Sequence, residues 1–132
     1  MKNRRPKRRY PWGEQAEPSR ANYRDSGILS RSAVGCFPNG ASPYGCEEIS
    51  GNVFEWTLSL CGEESAFPYP YAAGDGRENQ AASTQVSRAA RGGSFFYHLG
   101  GVRSAYRGKE PPGRESDNIG FRVVLSPIRS GL

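Results

Sequence analysis

Four short strings that combine glycine or asparagine with aromatic or charged residues follow one another along this chain. They are Tyr-Pro-Trp-Gly at residues 10–13, Gly-Asn-Val-Phe-Glu-Trp at 51–56, Arg-Gly-Gly-Ser at 91–94 and Asn-Ile-Gly-Phe-Arg at 118–122. The paired glycines of the third string indicate a close backbone approach and not a phosphate-binding loop, because no helix pattern follows them. The strings predict short strands that are joined by long loops.

The composition also favours loops over helices. The chain has 132 residues, of which 17 are glycine, 10 are proline and 36% are hydrophobic. This length supports one domain with a modest core. Such a composition is typical of a loop-rich domain and not of a helical bundle.

Local patterns predict three strands and two loops. Residues 51–60 are aromatic and β-branched enough for a strand, and residues 88–96 indicate a second strand that enters the glycine pair. Residues 119–125 alternate apolar and polar side chains, which predicts a closing strand before Pro127. The polar segment 62–87 and the Pro/Gly segment 108–117 are expected to be loops. A loop as long as 62–87 in a compact domain is usually functional or mobile.

Basic residues are concentrated at the start of the chain. Six of the first nine residues are Lys or Arg, and we expect a disordered tail at 1–9, with contact to nucleic acid as the alternative. The domain is then expected at 10–127, with a short tail at 128–132. Neither a transmembrane helix nor a signal peptide is indicated, so we expect a cytoplasmic protein without membrane contact; export by another route stays open.

The three cysteines do not suggest a zinc site. Cys36, Cys46 and Cys61 form no CxxC pair, and no histidine cluster accompanies them. The odd count is consistent with reduced, buried thiols. A Cys36–Cys46 disulfide is the alternative.

Taken together, the four strings resemble the formylglycine-generating enzyme or sulfatase-modifying factor family, a branch of the C-type-lectin fold. The similarity runs from about Tyr10 to Leu125 and matches the C-terminal part of the family domain. It implies an α+β, loop-rich fold with short antiparallel strands and little helix. Because the family's preceding segment has no counterpart here, we expect a fragment, a minimal version, or a chain that a partner completes with an N-terminal half.

The resemblance implies structural calcium around the second string. The ligands would be the carboxylates of Glu48 and Glu55 and the backbone carbonyls of Gly51 and Val53. Calcium prefers six to eight hard oxygen ligands, and this donor set supplies them. The alternative is that Glu55 pairs with an arginine of a later string.

A second calcium site of the family would lie nearer the start of the domain. Its ligands would be Asn22, the carbonyl of Tyr23 and Asp25, with a further carbonyl near Gly27 or Ile28. The alternative is that Asn22 caps a turn. A small, loop-rich domain gains much of its stability from such metal sites.

The same resemblance argues against the family's oxidase reaction. The catalytic branch uses copper and two cysteines shortly after the Arg-Gly-Gly-Ser string, and the corresponding residues here are Tyr97 and Val102. Neither supplies a thiolate, so no copper is expected. Iron-dependent sulfoxide synthases of the family draw ligands from a histidine-rich partner domain, and His98 is the one histidine here. We expect a pseudoenzyme without catalytic residues; the alternative is an enzyme or enzyme subunit completed by a missing half.

The remaining interpretation is a binding domain. In the C-type-lectin fold, segments that correspond to 96–101 and 108–115 lie close together and form the ligand face. We expect them to bind a protein, peptide or other ligand, with 96–98 exposed and Phe95 in the core. The candidate ligand-binding residues are Phe96, Tyr97, His98, Gly100, Gly101, Gly108, Lys109, Glu110 and Arg114.

The layout is also similar to the variable proteins of diversity-generating retroelements, whose C-terminal segment ends in a similar Ile-Gly-Phe-Arg run. In those proteins, adenine-directed mutation of asparagine codons diversifies the ligand face. The candidate Phe, Tyr, His and Gly residues are reachable from such codons, whereas Lys109 and Glu110 are not. Both a diversified protein and an ordinary family member stay open.

Overall fold

The computed structural model describes residues 7–62 and 67–125. Regular structure is limited to four short strands and three 3₁₀ turns. The strands are β1 (Phe54–Leu60), β2 (Arg88–Arg91), β3 (Gly108–Glu110) and β4 (Ile119–Gly120). The turns are Arg24–Ser26, Pro38–Gly40 and Leu99–Val102. The described ranges contain no α-helix, and hence no helix long and apolar enough to cross a membrane. The predicted loop-rich architecture with little helix is confirmed.

The four strands form one sheet in the order β3-β2-β1-β4. Both β2 and β3 pair with their neighbours antiparallel, whereas β4 runs parallel to β1. Glu55 lies opposite Arg91 on one side and opposite Gly120 on the other. The second, third and fourth strings of the sequence therefore meet side by side at one position of the sheet.

The strand boundaries differ from the sequence prediction at three places. The strand predicted over 88–96 ends at Arg91, because Gly92 and Gly93 adopt φ angles of 91° and 73° and turn the backbone away. The closing strand is limited to its first two residues, and residues 121–125 are exposed without strand pairing. The predicted loop 108–117 contributes the edge strand β3.

The first string supplies the core on one side of the molecule. Tyr10, Ala21, Tyr23 and Val102 form a buried cluster, and the ring of Trp12 stacks on that of Tyr10 at a centroid distance of 5.3 Å. Burying a side chain such as that of Val102 contributes about 2 kcal/mol to the free energy of unfolding. Residues that are distant in the sequence are thereby held together without regular secondary structure.

Two asparagines connect the loops. Asn22 is buried, and its side-chain amide donates to the carbonyl of Ser30 at 2.8 Å and to Ser32 Oγ at 3.1 Å. Asn52, in the left-handed region at φ 64°, donates its backbone N–H to the carbonyl of Asn22 at 2.7 Å. Its own carbonyl accepts from the N–H of Phe95 at 2.9 Å, and its Oδ1 accepts from the N–H of Ser32 at 2.9 Å. These bonds satisfy backbone groups that no sheet or helix pairs.

The polar loop is organised, over residues 67–79, by one buried arginine. Arg77 is 2% exposed, pairs with Asp75 and donates to the carbonyl of Pro68 at 2.9 Å. The rings of Phe67, Tyr69 and Tyr71 lie 5.7, 5.8 and 4.7 Å from its guanidinium carbon, within the range of cation–π attraction. The Arg77 hydrogen bonds lower the pKa of Asp75 from its ordinary value.

We predict that Gly93→Ala destabilises the domain much more than Gly27→Ala. Both glycines have a φ angle near 75°, so both variants strain the backbone by about 1–2 kcal/mol. A Cβ on Gly93 would lie 2.5 Å from the carbonyl oxygen of Gly101, whereas one on Gly27 would meet nothing within 4 Å. The extra clash should cost about 2 kcal/mol more, measured by urea unfolding. Equal destabilisation of the two variants would contradict this packing.

We predict that Asp75→Asn removes part of the acid sensitivity of folding. A carboxyl whose pKa is lowered in the folded state contributes stability above its unfolded pKa of about 3.9, and loses it as the pH falls through the folded value. The difference in melting temperature between the original chain and the variant should therefore shrink as the pH falls below about 4. Asp117→Asn, at an exposed position, is the control and should show no such trend. A constant difference for Asp75→Asn would refute the prediction.

Candidate functional site

The two candidate ligand-binding segments lie over the same aromatic ring. Phe54 of β1 is buried and meets the ring of Tyr97 edge-on, with centroids 4.9 Å apart. A Cβ added at Gly108 would lie 3.6 Å from Cε1 of the same Phe54 ring. Tyr106 adds a third ring, 5.9 Å from Phe54 and 6.1 Å from Tyr97. The structure thus brings the starts of segments 96–101 and 108–115 together.

The first segment is only partly exposed. Phe96 is 69% exposed and His98 is exposed, as the sequence predicted, and Phe95 is buried in the core. Tyr97, predicted to be exposed, is half-buried because its ring packs between Phe54 and Phe96. The imidazole Nδ1 of His98 accepts from the N–H of Gly100 at 3.3 Å, which caps the following 3₁₀ turn.

The glycines of the candidate set support the face from below. Gly101 is buried beneath the ring of Tyr97, and a Cβ there would lie 2.7 Å from Cδ1 of that ring. Gly101 is therefore not a contact residue, contrary to the sequence prediction. Gly100 is half-buried beside the His98 ring, and Gly108 is half-buried on β3.

The second segment adds charge at the edge of the sheet. Lys109 is exposed on β3 and forms no ion pair within the described ranges, whereas Glu110 pairs with the exposed Arg114 at 2.8 Å. The accessible side chains of the face are therefore Phe96, His98, Lys109 and Arg114. They comprise one large aromatic ring and an imidazole on the first segment and two basic groups on the second.

The two positions that the sequence comparison aligned with the oxidase cysteines hold packed side chains. Val102 is fully buried in the cluster with Tyr10 and Tyr23, and Tyr97 packs on Phe54. The three thiols lie elsewhere and are free; Cys36 and Cys46 are exposed and Cys61 is half-buried. The burial expected for the thiols is therefore wrong for two of them.

The first predicted calcium set surrounds an arginine. Both carboxylate oxygens of Glu55 accept from Arg122, whose Nε lies 2.7 Å from Oε2. The same guanidinium donates to the carbonyls of Glu47 and Glu48, at 3.0 and 2.9 Å. The bond to Glu55 raises the pKa of Arg122, so the group is charged. A guanidinium thus already places positive charge among these acceptors, beside a cavity of about 270 Å³.

Three of the remaining predicted ligands, Glu48, Tyr23 and Asn22, take part in loop hydrogen bonds. Glu48 Oε1 accepts from the N–H of Gly35 at 2.8 Å, and the Tyr23 carbonyl accepts from the N–H and the hydroxyl of Ser26. Asp25 is exposed, and Asn22 joins loops instead of capping a turn. Across the described ranges, no three His, Cys, Asp or Glu side chains cluster. Any calcium at either set would therefore depend on backbone carbonyls, which are hard oxygen donors of the kind calcium accepts.

The sequence analysis did not identify the aromatic loop as part of the surface. Tyr69 and Tyr71 are 66% and 54% exposed, and the hydroxyl of Tyr69 lies 3.4 Å from Arg91 Nη2. The alternating Phe-Pro-Tyr-Pro-Tyr run at 67–71 was the available signal. It could not be interpreted without knowing that Arg77 folds back among the rings.

We predict that Arg122→Leu lowers the free energy of unfolding by about 1–2 kcal/mol. The expected loss is smaller than for a fully buried ion pair, because 40% of the Arg122 side chain in the Arg122–Glu55 pair is exposed. The exposed Glu110–Arg114 pair provides the control, since Arg114→Leu should cost less than about 0.5 kcal/mol. Urea unfolding of both variants checks this. Equal effects would show that the Arg122 contacts do not hold residues 47–55.

Comparison with known proteins identifies the relatives of this architecture. A family model described as a sulfatase-modifying factor enzyme 1-like domain matches residues 4–127. Hercynine oxygenase of Mycolicibacterium smegmatis is 35% identical over 120 residues, which cover 89% of this chain and 28% of the oxygenase. The inactive C-alpha-formylglycine-generating enzyme 2 of Bos taurus is 30% identical over 130 residues, which cover 87% of this chain and 36% of that protein. The chain thus spans roughly a third of the length of these relatives.

A solved structure shows the same fold. Treponema denticola variable protein 1 matches with a TM-score of 0.58 over 78% of this chain and 34% of that chain, at 23% sequence identity. The likeness confirms the C-type-lectin-like fold and the expected similarity to variable proteins. It also agrees with a domain that is mostly loop.

Proposed function

The chain belongs to the sulfatase-modifying factor enzyme 1-like domain family, and we propose that it is a non-catalytic member that binds a protein or peptide. The observation that carries this proposal is the packing of Tyr97 and Val102, the two positions that align with the cysteines of the family's oxidases. Tyr97 packs on Phe54, Val102 is fully buried beside Tyr10 and Tyr23, and neither side chain carries a thiol. The adjacent Phe96 and His98 are exposed instead.

The geometry of the face supports recognition of a macromolecule. Phe96 is exposed next to the packed rings of Tyr97 and Phe54. Because the rings of Tyr97 and Phe54 are already fixed by this packing, they lose little conformational entropy when a partner binds. Lys109 and Arg114 lie on the neighbouring segment and add charge at the rim. An aromatic centre with a polar rim is the usual arrangement of protein interfaces.

We further propose that this face belongs to a variable protein of a diversity-generating retroelement. The fold shared with Treponema denticola variable protein 1 supports this idea, as does the accessibility of Phe96 and His98. DNA sequencing of the flanking region tests it directly. A template repeat that differs from the coding segment at adenines is expected, and its absence from the flanks would sink the proposal.

Selection from a random peptide display library tests the binding face. Peptides enriched on the full chain should bind Phe96→Ala at least about tenfold more weakly, because truncating a central aromatic side chain typically costs more than 1 kcal/mol. Leu58→Ala is the matched control, since Leu58 is a 57% exposed apolar residue of β1 outside the face. Failure to enrich any sequence, or equal loss in both variants, would contradict the proposal.

We predict that the purified chain, loaded with copper, does not convert the cysteine of a sulfatase-type peptide to formylglycine. The reason is that Tyr97 and Val102 stand where the family oxidases place their two cysteines. Mass spectrometry of the peptide measures the conversion. Appearance of the aldehyde product would overturn the non-catalytic assignment.

We also propose that calcium stabilises the domain. The donor types support this, since Glu48 and Glu55 with the carbonyls of Gly51 and Val53 are hard oxygens. The second set would use Asn22, the Tyr23 carbonyl and Asp25. At the first set, Glu55 would have to exchange its Arg122 contact for the metal.

Thermal unfolding with calcium and then with excess chelator tests this prediction. Calcium at about 100 times its dissociation constant should add about 2.7 kcal/mol of stability, and chelation should remove it. Asp25→Asn and Glu48→Gln assign any effect to the second or the first set. A melting temperature that chelation leaves unchanged would assign Glu55 to its ion pair with Arg122 alone.

A second candidate function is that of an enzyme subunit. The 35% identity to hercynine oxygenase across 89% of this chain favours it. In that case a partner chain, or further sequence, would supply an N-terminal half and the catalytic ligands. Co-expression with a candidate partner that yields a stable complex with oxidase activity would support it over the binding proposal. Free thiols at Cys36 and Cys46 support a cytoplasmic location for both the binding protein and the enzyme subunit.

A further inference from the structure

Two adjoining cavities form one groove on the side of the molecule where the domain begins. The first, of about 250 Å³, is basic and is lined by Lys7, Arg8, Arg9, Glu14, Arg103 and Ala105. The second, of about 260 Å³, is mainly apolar and is lined by Arg8, Tyr10, Pro11, Ser42, Pro43, Tyr44, Ile49 and Ser104. Arg8 lines both cavities, and Ser104 and Ala105 are consecutive. We call this the N-terminal groove.

The basic wall of the N-terminal groove is tied to the domain. The carbonyl of Arg9 accepts from the N–H of Ser104 at 2.8 Å, and the N–H of Arg9 donates to Glu14 Oε1 at 3.1 Å. The next residue, Tyr10, is 2% exposed and belongs to the core. The sequence analysis placed residues 7–9 in a disordered tail, whereas these hydrogen bonds hold Arg9 beside the 103–105 segment. Residues 1–6 lie outside the described ranges.

The charges of the groove are unbalanced. Lys7, Arg8, Arg9 and Arg103 are all exposed, and within the described ranges none of them forms an ion pair with a carboxylate. Glu14 is the single acidic residue of the lining. In the sequence, three more basic residues stand among the six that precede Lys7. Like charges this close repel one another, so an anionic partner would be attracted here.

We propose that the N-terminal groove binds an acidic peptide segment of a partner protein. Its carboxylates pair with Arg8 and Arg103, and one of its apolar side chains enters the cavity beside Tyr44 and Ile49. The apolar end decides between a peptide and a nucleic acid. A single-stranded nucleic acid stacks successive bases on several exposed rings along a basic track. In this cavity Tyr10 is buried, so the lining offers one exposed ring, that of Tyr44, among Pro11, Pro43 and Ile49.

This site is separate from the face built on Phe96 and Lys109 and does not depend on its function. The groove is lined by residues 7–11, 14, 42–44, 49 and 103–105, none of which belongs to the candidate ligand-binding set. A partner could therefore occupy it while the face is engaged or empty. The two sites can be tested with different variants.

Fluorescence anisotropy with a labelled acidic peptide tests the proposal on the full chain. The probe is a short peptide of Asp and Glu with one central Leu, at low salt. We expect saturable binding that is at least about tenfold weaker for the Arg8→Glu/Arg103→Glu variant, because like charges then face the probe. Ile49→Ser should weaken it by roughly fivefold, as expected for one lost apolar contact.

Matched controls separate the groove from general electrostatic attraction. Arg24→Glu/Arg31→Glu makes the same charge change at two exposed positions outside the groove and should alter binding by less than about twofold. Phe96→Ala should also leave binding unchanged. Replacing the central Leu of the probe by Ser should weaken binding as Ile49→Ser does.

Four results would overturn the proposal. They are no saturable binding, equal binding of a probe in which Asn and Gln replace the acids, equal loss in Arg24→Glu/Arg31→Glu, and tighter binding of a single-stranded DNA that displaces the peptide. Loss of peptide binding in Phe96→Ala would place the site on the ligand face instead. Because the substituted arginines are exposed, far-ultraviolet circular dichroism should show that each variant folds as the original chain does.

Discussion

The contact between Asn22 and Asn52 holds together a fold that has very little regular structure. Its strands contain between two and seven residues, so most backbone groups must find partners in loops. The buried side chain of Asn22 bonds the 30–32 segment, and the backbone of Asn52 bonds both Asn22 and Phe95. Losing one partner would leave buried polar groups unpaired, which costs about 1–3 kcal/mol for each group. Polar loop contacts here perform the role that strand ladders perform in larger sheets.

The same contact fixes the position of the proposed ligand face. The N–H of Phe95 donates to the carbonyl of Asn52, and Gly93 packs against the carbonyl of Gly101. These two contacts restrict the backbone conformation of residues 95–101. It buries Phe95, exposes Phe96 and packs Tyr97 on Phe54. The two positions that bear cysteines in the oxidases thereby become parts of the packing.

The sequence allowed the fold to be predicted, because the four strings are specific and occur in a fixed order. It also placed β1, and it identified Phe95 as a core residue. It could not limit β4 to two residues or reveal β3, since both depend on which neighbours cover the strands. The burial of Gly101 under Tyr97 and the aromatic rings around Arg77 are tertiary contacts without local periodicity. The N-terminal groove was missed for the same reason, because its walls come from three distant segments.

Native-state hydrogen exchange of the Asn52 and Phe95 amides tests the central role of the asparagine contact most directly. Their N–H groups donate to the carbonyls of Asn22 and Asn52, at 2.7 and 2.9 Å. If the contact holds the fold together, both amides exchange only by global unfolding, with the same opening free energy as the most protected amides of β1 and β2. Exchange of Asn52 and Phe95 at a clearly lower free energy than the strands would show that the loops open independently, and would contradict this account.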